Sequence, residues 1–217
     1  MGDLYNNFHK YFEIVEADSD ELLEIVYRIR YQVLCVEQRI PEFDASLYPD
    51  KLEKDNYDSH SSHVLLRFRP SGDFIATARL ILFDPLQPEK PFPVESYTQQ
   101  DLELCNIKAL PRQQVAEISR FVVVSKFDRR KGERRSEGRR KVDENAAVSE
   151  RRERSSTDRR STPNIALILM AGIVRMSIKF NIRNWLSGMA PALNRLLSYD
   201  GLHFKPIGPL VNYHGLR

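Results

Sequence analysis

The chain has 217 residues, 41% of them hydrophobic and 29% charged, and a formal charge of +3. This is the composition of an ordinary globular protein, and two cysteines are too few for a disulfide framework. The longest apolar stretch, Ile165 to Val174, has about ten residues, half of the roughly 20 that a bilayer requires. No secretory signal is visible, so we expect a cytoplasmic protein without a transmembrane segment.

The first helix is predicted over residues 18–36, where apolar side chains recur at helical spacing. Asp18, with Glu21 three residues later, resembles a capping box at the start of this helix. Residues 37–62 are polar and irregular and predict a long loop. A loop of this length inside a compact domain is often functional.

Two strands, His63 to Phe68 and Phe74 to Phe83, are predicted after the loop. The tetrapeptide Pro70-Ser71-Gly72-Asp73 between them predicts a hairpin turn. We expect a short helix at 95–106 and then a strand from Gln114 to Val124, whose run of Phe and Val suits a sheet interior.

A basic segment runs from Asp128 to Arg160 and contains almost no apolar residue, with 11 Arg and two Lys against eight acidic residues. Such a composition predicts a disordered insert, at 128–161, which interrupts a single domain spanning 1–217. One interpretation is a solvated loop. The other is an electrostatic dock, Arg129 to Arg160, for an acidic partner. No aromatic residues are interleaved with the arginines, so we expect no nucleic-acid binding.

Core signals resume after the insert. Thr162-Pro163 predicts the start of a helix that runs to about Phe180. We expect a strand at 184–187, a helix at 191–198 and a closing strand or strand pair from His203 to Tyr213. Helices and strands mixed in this order predict an α/β or α+β fold, with helices packed on a central sheet.

Six charged residues stand out because several lie in otherwise apolar strands, where an unpaired charge is costly. They come from a helix, a loop and two strands, and comprise three arginines and three carboxylates: Arg30, Asp55, Asp58, Arg79, Glu117 and Arg120. A buried ionic network that only braces the fold would explain them. A functional cleft is the better interpretation for six charges from four elements.

Glu117 and Arg120 pose a geometric problem, because side chains alternate along a regular strand and these two should lie on opposite faces. A β-bulge between them would bring both side chains to one face. We therefore predict a bulge in this strand.

These charged residues, in this order, resemble the acyl-homoserine lactone synthases over roughly residues 20–125. The motifs that carry the resemblance are Arg30-Tyr31-Gln32-Val33-Leu34, Asp55-Asn56-Tyr57-Asp58, Ala78-Arg79-Leu80 and Glu117-Ile118-Ser119-Arg120-Phe121. The resemblance implies the fold of the GCN5-related N-acetyltransferases (GNAT), with a mixed, V-shaped central sheet flanked by helices. It also implies transfer of a fatty acyl group from a thioester, usually of acyl carrier protein rather than coenzyme A, to an amine.

The C-terminal part is more similar to the acyltransferases associated with PEP-CTERM/exosortase systems, and long-chain N-acyl amino acid synthases are similar relatives. The residues concerned are Trp185-Leu186, Pro191-Ala192-Leu193, Leu196-Leu197, Ile207-Gly208-Pro209 and Tyr213-His214-Gly215-Leu216-Arg217. Lactone synthases usually carry a tryptophan where this chain has Ile40. An amino acid or related amine is therefore favoured over S-adenosylmethionine as the acceptor.

The resemblance also implies the roles of single residues. Glu117, Ser119 and Arg120 are the expected catalytic residues, with Glu117 as the general base, directly or through a water. Arg30, Asp55, Asp58, Arg79 and Phe121 are expected to bind substrate. We expect no metal and no permanently bound cofactor. The donor is expected to be acyl carrier protein, with coenzyme A as the alternative, because the acetyltransferase phosphate loop is not visible before Pro163.

Two rival functions fit the same fold. A non-catalytic module that binds a lipid or nucleotide signal predicts a filled core beside Glu117, whereas the enzyme predicts an apolar tunnel there. An acetyl-coenzyme A-dependent N-acetyltransferase predicts a shallow acyl pocket.

Overall fold

The computed structural model describes residues 8–98, 107–127 and 165–211. A five-stranded sheet forms the centre of the domain, with the strands β1 (Phe12–Glu16), β2 (Ser61–Phe68), β3 (Phe74–Ile81), β4 (Val115–Val123) and β5 (Asn184–Leu186). Within these ranges four α-helices accompany it, namely α1 (Asp20–Arg30), α2 (Pro93–Thr98), α3 (Ile165–Lys179) and α4 (Pro191–Tyr199). The mixed, helix-flanked sheet confirms the predicted fold class.

The strands lie side by side in chain order. The first four are antiparallel to their neighbours, and β5 runs parallel to β4. Pairing between β4 and β5 covers only three residues of each strand and stops at Glu117 and Leu186. Strand β5 ends at that pair, which leaves an opening between β4 and the segment 187–190 that follows β5.

The sheet has two differently covered faces. Helices α3 and α4 cover one face, where Val64, Leu80 and Ile118 pack against the buried side of α3. On the other face, α1 packs over Leu65 through Val26 and its apolar neighbours. The loop 38–60 extends this second layer, so that polar groups from α1 and the loop reach the side chains of β3 and β4.

Helix α1 begins at Asp20, two residues later than predicted. Ser19, not Asp18, is the N-cap, and its hydroxyl accepts a hydrogen bond from Leu22 N at 3.4 Å. The predicted continuous helix also changes geometry, because Tyr31–Glu37 forms a π-helix directly after Arg30. π-helical segments are rare and often lie at functional sites.

Three further expectations need correction. Strand β1 was missed, because five residues of mixed character give too short a periodic signal. No strand forms within residues 203–211, where the chain is irregular, and residues 212–213 lie outside the described part. Helix α2 starts at Pro93, two residues earlier than predicted, and is described as far as Thr98. The rest of its predicted range and the insert at 128–161 also lie outside the described residues.

None of the helices in the described ranges has both the length and the apolar character needed to cross a membrane.

Candidate active site

The predicted bulge is present in β4. Arg79 pairs with Ser119 and Thr77 with Val122, so two residues of β4, Arg120 and Phe121, lie opposite the single residue between them on β3. Arg120 has a φ of 49°, a left-handed conformation that is uncommon for a residue with a side chain. The bulge turns the Arg120 side chain to the face that carries Arg79 and Glu117, as the shared site requires.

Arg30 is at the centre of a buried ionic network. Its side chain is fully buried, and its Nε donates to Glu53 Oε2. The two terminal nitrogens of Arg30 donate to the two carboxylate oxygens of Asp58 at 2.7 and 3.2 Å. Such bidentate geometry is the strongest arrangement of an arginine with a carboxylate.

Arg79 and Arg120 complete the network from the sheet. Arg79 Nη1 donates to Asp55 at 2.6 Å and to Asp58 at 2.9 Å, and its Nε donates to the Ser119 hydroxyl at 2.9 Å. Arg120 Nη2 donates to Glu53 at 3.0 Å and to Asp55 at 2.8 Å. Each arginine therefore binds two carboxylates, and the three positive and three negative charges balance.

Glu53 is the member of this network that the sequence analysis missed. It is fully buried between Arg30 and Arg120. A carboxylate this deep is stable only when it is paired, and Glu53, rather than the predicted Glu117, supplies the third negative charge. If Glu117 is to act as a base, the arginines need another partner. Charge balance therefore requires a further carboxylate, and the fold shows that it is Glu53, two residues before Asp55.

The three network carboxylates are held in the ionised form. Burial acts to raise their pKa values, but the adjacent arginines more than offset it. The pKa of Glu53 is lowered by Arg30 and Arg120, and that of Asp55 by Arg79 and Arg120. The pKa of Asp58 lies well below its usual value because of Arg30 and Arg79.

Glu117 stands apart from the network although it lies on the same face of the sheet. It is 1% exposed, and its Oε2 accepts a hydrogen bond from Val94 N at 2.8 Å, in the first turn of α2. Burial raises the pKa of Glu117 to about 7, against the opposing effects of this bond and of Arg79 and Arg120. A carboxyl group with this pKa can accept or release a proton near neutral pH.

His63 lies beside the network on β2 and is 1% exposed. Its Nε2 is 3.5 Å from Asp58 Oδ1, but neither ring nitrogen forms a hydrogen bond within the described part of the chain. Burial, together with the charge of Arg30, lowers the pKa of His63 to about 3. The ring is therefore neutral, and the weak ion pair that its distance to Asp58 suggests does not form.

A polar pocket of about 300 Å³ opens onto the network. Arg120, Arg79 and Asp55 line it together with the tyrosines Tyr57 and Tyr97. Asp55 is the most accessible charged side chain of the network, at 28% exposure, against 12% for Arg120. Glu117 does not line this pocket.

A second cavity, of about 240 Å³, passes through the opening between β4 and β5. Ser119, Arg120 and Phe121 line it on β4, and Met170 and Leu193 line it from the helical layer on the opposite face. A third cavity, of about 320 Å³, is mostly apolar and lies along the segment after β5. It borders Val94 and Leu186, two neighbours of Glu117, but not Glu117 itself.

Comparison with known proteins identifies the domain. Residues 29–135 match the model of the acetyltransferase (GNAT) domain. This chain is an acyltransferase with a GNAT-like fold. The match contains the complete ionic network, Glu117 and the bulge of β4. No protein of curated function matches the sequence of this acyltransferase.

Solved structures of acyl-homoserine lactone synthases share the fold. The AHL synthase LasI superposes with a TM-score of 0.56 at 15% identity, over 95% of this chain and 86% of that one. BjaI, a CoA-dependent acyl-homoserine lactone synthase in a structure with SAM and isopentyl-CoA, gives 0.57 at 18% identity, over 95% and 79%. At these identities the likeness shows the fold, and the residue roles depend on this chain's own geometry.

The structure brings seven of the eight residues singled out in the sequence into one region: Arg30, Asp55, Asp58, Arg79, Glu117, Ser119 and Arg120. Phe121, at the bulge, faces the cavity between β4 and β5 and packs against the core on the helical side. Within the described part of the chain, no group of three potential metal ligands comes together.

Proposed function

We propose that this acyltransferase moves a fatty acyl group from an acyl thioester to the amine of a small molecule. The observation that carries the proposal is the opening between β4 and β5, through which a cavity joins Arg120 on the polar side to Met170 and Leu193 on the apolar side. A thioester chain lying in this opening would place its carbonyl near the bulge and its acyl tail among apolar side chains.

The polar pocket is the proposed site of the acceptor amine. It contains Arg120 and Asp55, whose side chains are fixed by the network, so an acceptor that carries both an amine and a carboxylate finds complementary groups there. Ile40 in place of the tryptophan of lactone synthases, and the similarity of the C-terminal residues to exosortase-associated relatives, support an amino acid or related amine. Asp58, which is bound by Arg30, holds the pocket residue Arg79 in place.

Glu117 is the proposed general base. Direct attack of a neutral amine on the thioester carbonyl releases a proton, and a buried carboxyl with a pKa of about 7 is suited to accept it. Backbone N–H groups at the bulge are the proposed stabilisers of the oxyanion. Ser119, held by Arg79, fixes the strand next to them.

The size of the cavities favours a fatty acyl group over an acetyl group. The opening through the sheet and the apolar cavity share Ser187, Gly188, Met189 and Phe204, and together they offer far more apolar wall than a two-carbon group can cover. Replacing Leu193 by Trp should therefore slow transfer of long acyl chains and spare short ones. Equal slowing for both would argue against this cavity as the acyl site.

Acyl carrier protein is the proposed donor, because the basic segment Arg129 to Arg160 is complementary to an acidic protein. A coenzyme A donor is the second candidate, supported by the isopentyl-CoA in the BjaI structure. Steady-state rates with the same acyl group on both carriers decide between them. Deletion of 129–160 should raise the KM for the carrier-protein donor at low salt and change it little at high salt, where charges are screened.

A further inference from the structure

Glu117 has no direct contact with the polar pocket in which the amine is proposed to bind. It is 1% exposed, and the pocket is lined by Asp55, Tyr57, Arg79 and Arg120 but not by Glu117. A proton that leaves the amine during attack must therefore cross from the pocket to a buried carboxylate. Proton transfer requires hydrogen-bond contact, directly or through an intermediate group.

Tyr57 lies between the polar pocket and the apolar surroundings of Glu117. Its ring lines the polar pocket beside Asp55 and Arg79. The same ring packs against the apolar cluster formed by Ile81, Phe92, Val94, Ile107, Val115 and Leu186. This cluster encloses Glu117, because Ile81 and Leu186 are its partners on the neighbouring strands and Val94 is its hydrogen-bond donor.

The backbone of Tyr57 is fixed while its hydroxyl stays available. Its N–H donates to Asp55 Oδ1 at 2.9 Å, and its carbonyl accepts from the Ser61 hydroxyl at 2.6 Å. Lys90 Nζ lies 4.6 Å from the ring centroid and holds the ring from outside. Within the described part of the chain, no residue forms a hydrogen bond with the phenol oxygen.

The charges around Tyr57 keep its phenol protonated. Burial raises its pKa, and the carboxylate of Glu117 raises it further as the strongest of the neighbouring charges. A neutral phenol can donate a proton to one neighbour while it accepts one from another, as a relay requires.

Resting on the proposed function, we propose that Tyr57 is a further catalytic residue, which carries the proton from the acceptor amine to Glu117. As the amine nitrogen bonds to the thioester carbonyl carbon, its N–H proton passes to the Tyr57 oxygen and the phenol proton passes to Glu117. The C–S bond then breaks, the sulfur leaves with the bonding electrons, and the proton held by Glu117 returns through the Tyr57 hydroxyl to the sulfur.

The test compares Tyr57→Phe with the wild type in steady-state acyl transfer. The substitution removes the phenol oxygen and keeps the ring that contacts Lys90. We expect kcat to fall about 10²–10⁴-fold with the acceptor KM little changed, since that is the usual contribution of a proton-transfer group. Tyr48→Phe is the matched control. Tyr48 is also half-buried and has a raised pKa, but it lies against Tyr31, outside the polar pocket.

A double variant separates a relay from a structural role. If Tyr57 acts through Glu117, Tyr57→Phe with Glu117→Gln should be no slower than Glu117→Gln alone, because one proton path is lost only once. The relay would be overturned if the rate loss of the double variant equalled the product of the two single losses, or if Tyr57→Phe had a rate near that of the wild type. Either result would leave the proposed function standing. A folded wild-type protein that transfers no acyl group would overturn both.

Discussion

The ionic network and Glu117 share one face of the sheet, but the network is stabilised by ion pairs and Glu117 is not. In the ionic network, every arginine binds two carboxylates, and the charges balance over Arg30, Arg79, Arg120, Glu53, Asp55 and Asp58. Glu117 has a backbone N–H as a partner and no cation in contact among the described residues.

The difference separates structure from chemistry. Paired carboxylates have lowered pKa values and remain ionised at every physiological pH, so they cannot exchange protons usefully. The carboxyl of Glu117 has a raised pKa and changes its charge near neutrality. We infer that the network shapes the acceptor pocket and that Glu117 performs proton transfer.

The largest expected effect is on catalysis. Glu117→Gln keeps the shape of the side chain and an oxygen for the Val94 hydrogen bond, but it removes the base. We expect kcat to fall about 10²–10⁴-fold while the protein stays folded. Steady-state acyl transfer measures this.

Glu95→Gln is the matched control for that variant. Glu95 is also a buried carboxylate and lies in α2 itself, but it is bound by Arg112 at 2.7 and 2.9 Å. It should retain a rate close to that of the wild type. Equal losses in both variants would mean that Glu117 acts only by positioning α2.

The free energy of unfolding should depend more on the ionic network than on Glu117. Glu53→Gln leaves Arg30 and Arg120 short of a buried counter-charge, and breaking such a pair typically costs about 3–5 kcal/mol. The free energy of unfolding, measured with a denaturant, gives this number. Glu24→Gln, which removes the partner of the exposed Arg28, should cost less than about 1 kcal/mol. Similar costs for the two variants would contradict a buried network that holds the fold.

The smallest effect is the pH dependence of stability. Folding raises the pKa of Glu117 from an ordinary carboxyl value to about 7, so between these values the folded chain keeps a proton that the unfolded chain has lost. Stability should therefore fall as pH rises through this window, by up to about 3 kcal/mol.

Glu117→Gln should lack this part of the pH dependence. The network carboxylates have lowered pKa values, so their stabilisation is complete above their unfolded values and adds no slope in the window. Unfolding free energies of both proteins at about pH 5 and about pH 8 provide the comparison. Parallel curves would show that Glu117 does not titrate there.

Most of the charged residues of the site could be predicted from the sequence, but the contacts between them could not. Arg79, Glu117 and Arg120 were identifiable because a charge in an apolar strand must be paired or functional. The bulge followed from the need to place Glu117 and Arg120 on one face, and it lies at Arg120 and Phe121. Both inferences depend on rules that hold within a single strand.

Features that depend on tertiary contacts were not predictable. Glu53 lies in an irregular loop without periodicity, and only the folded loop brings it between Arg30 and Arg120. The π-helical turn after Arg30 has the same apolar pattern as an α-helix. The separation of Glu117 from the polar pocket, which points to Tyr57, is likewise a property of packing.

The central claim is tested most directly by mass spectrometry of lipid extracts from cells that produce either the wild-type protein or Glu117→Gln at equal levels. We predict new N-acyl amines in the wild-type extract and their loss in the variant. Extracts without any new N-acyl amine, or with the same products from both proteins, would contradict the account.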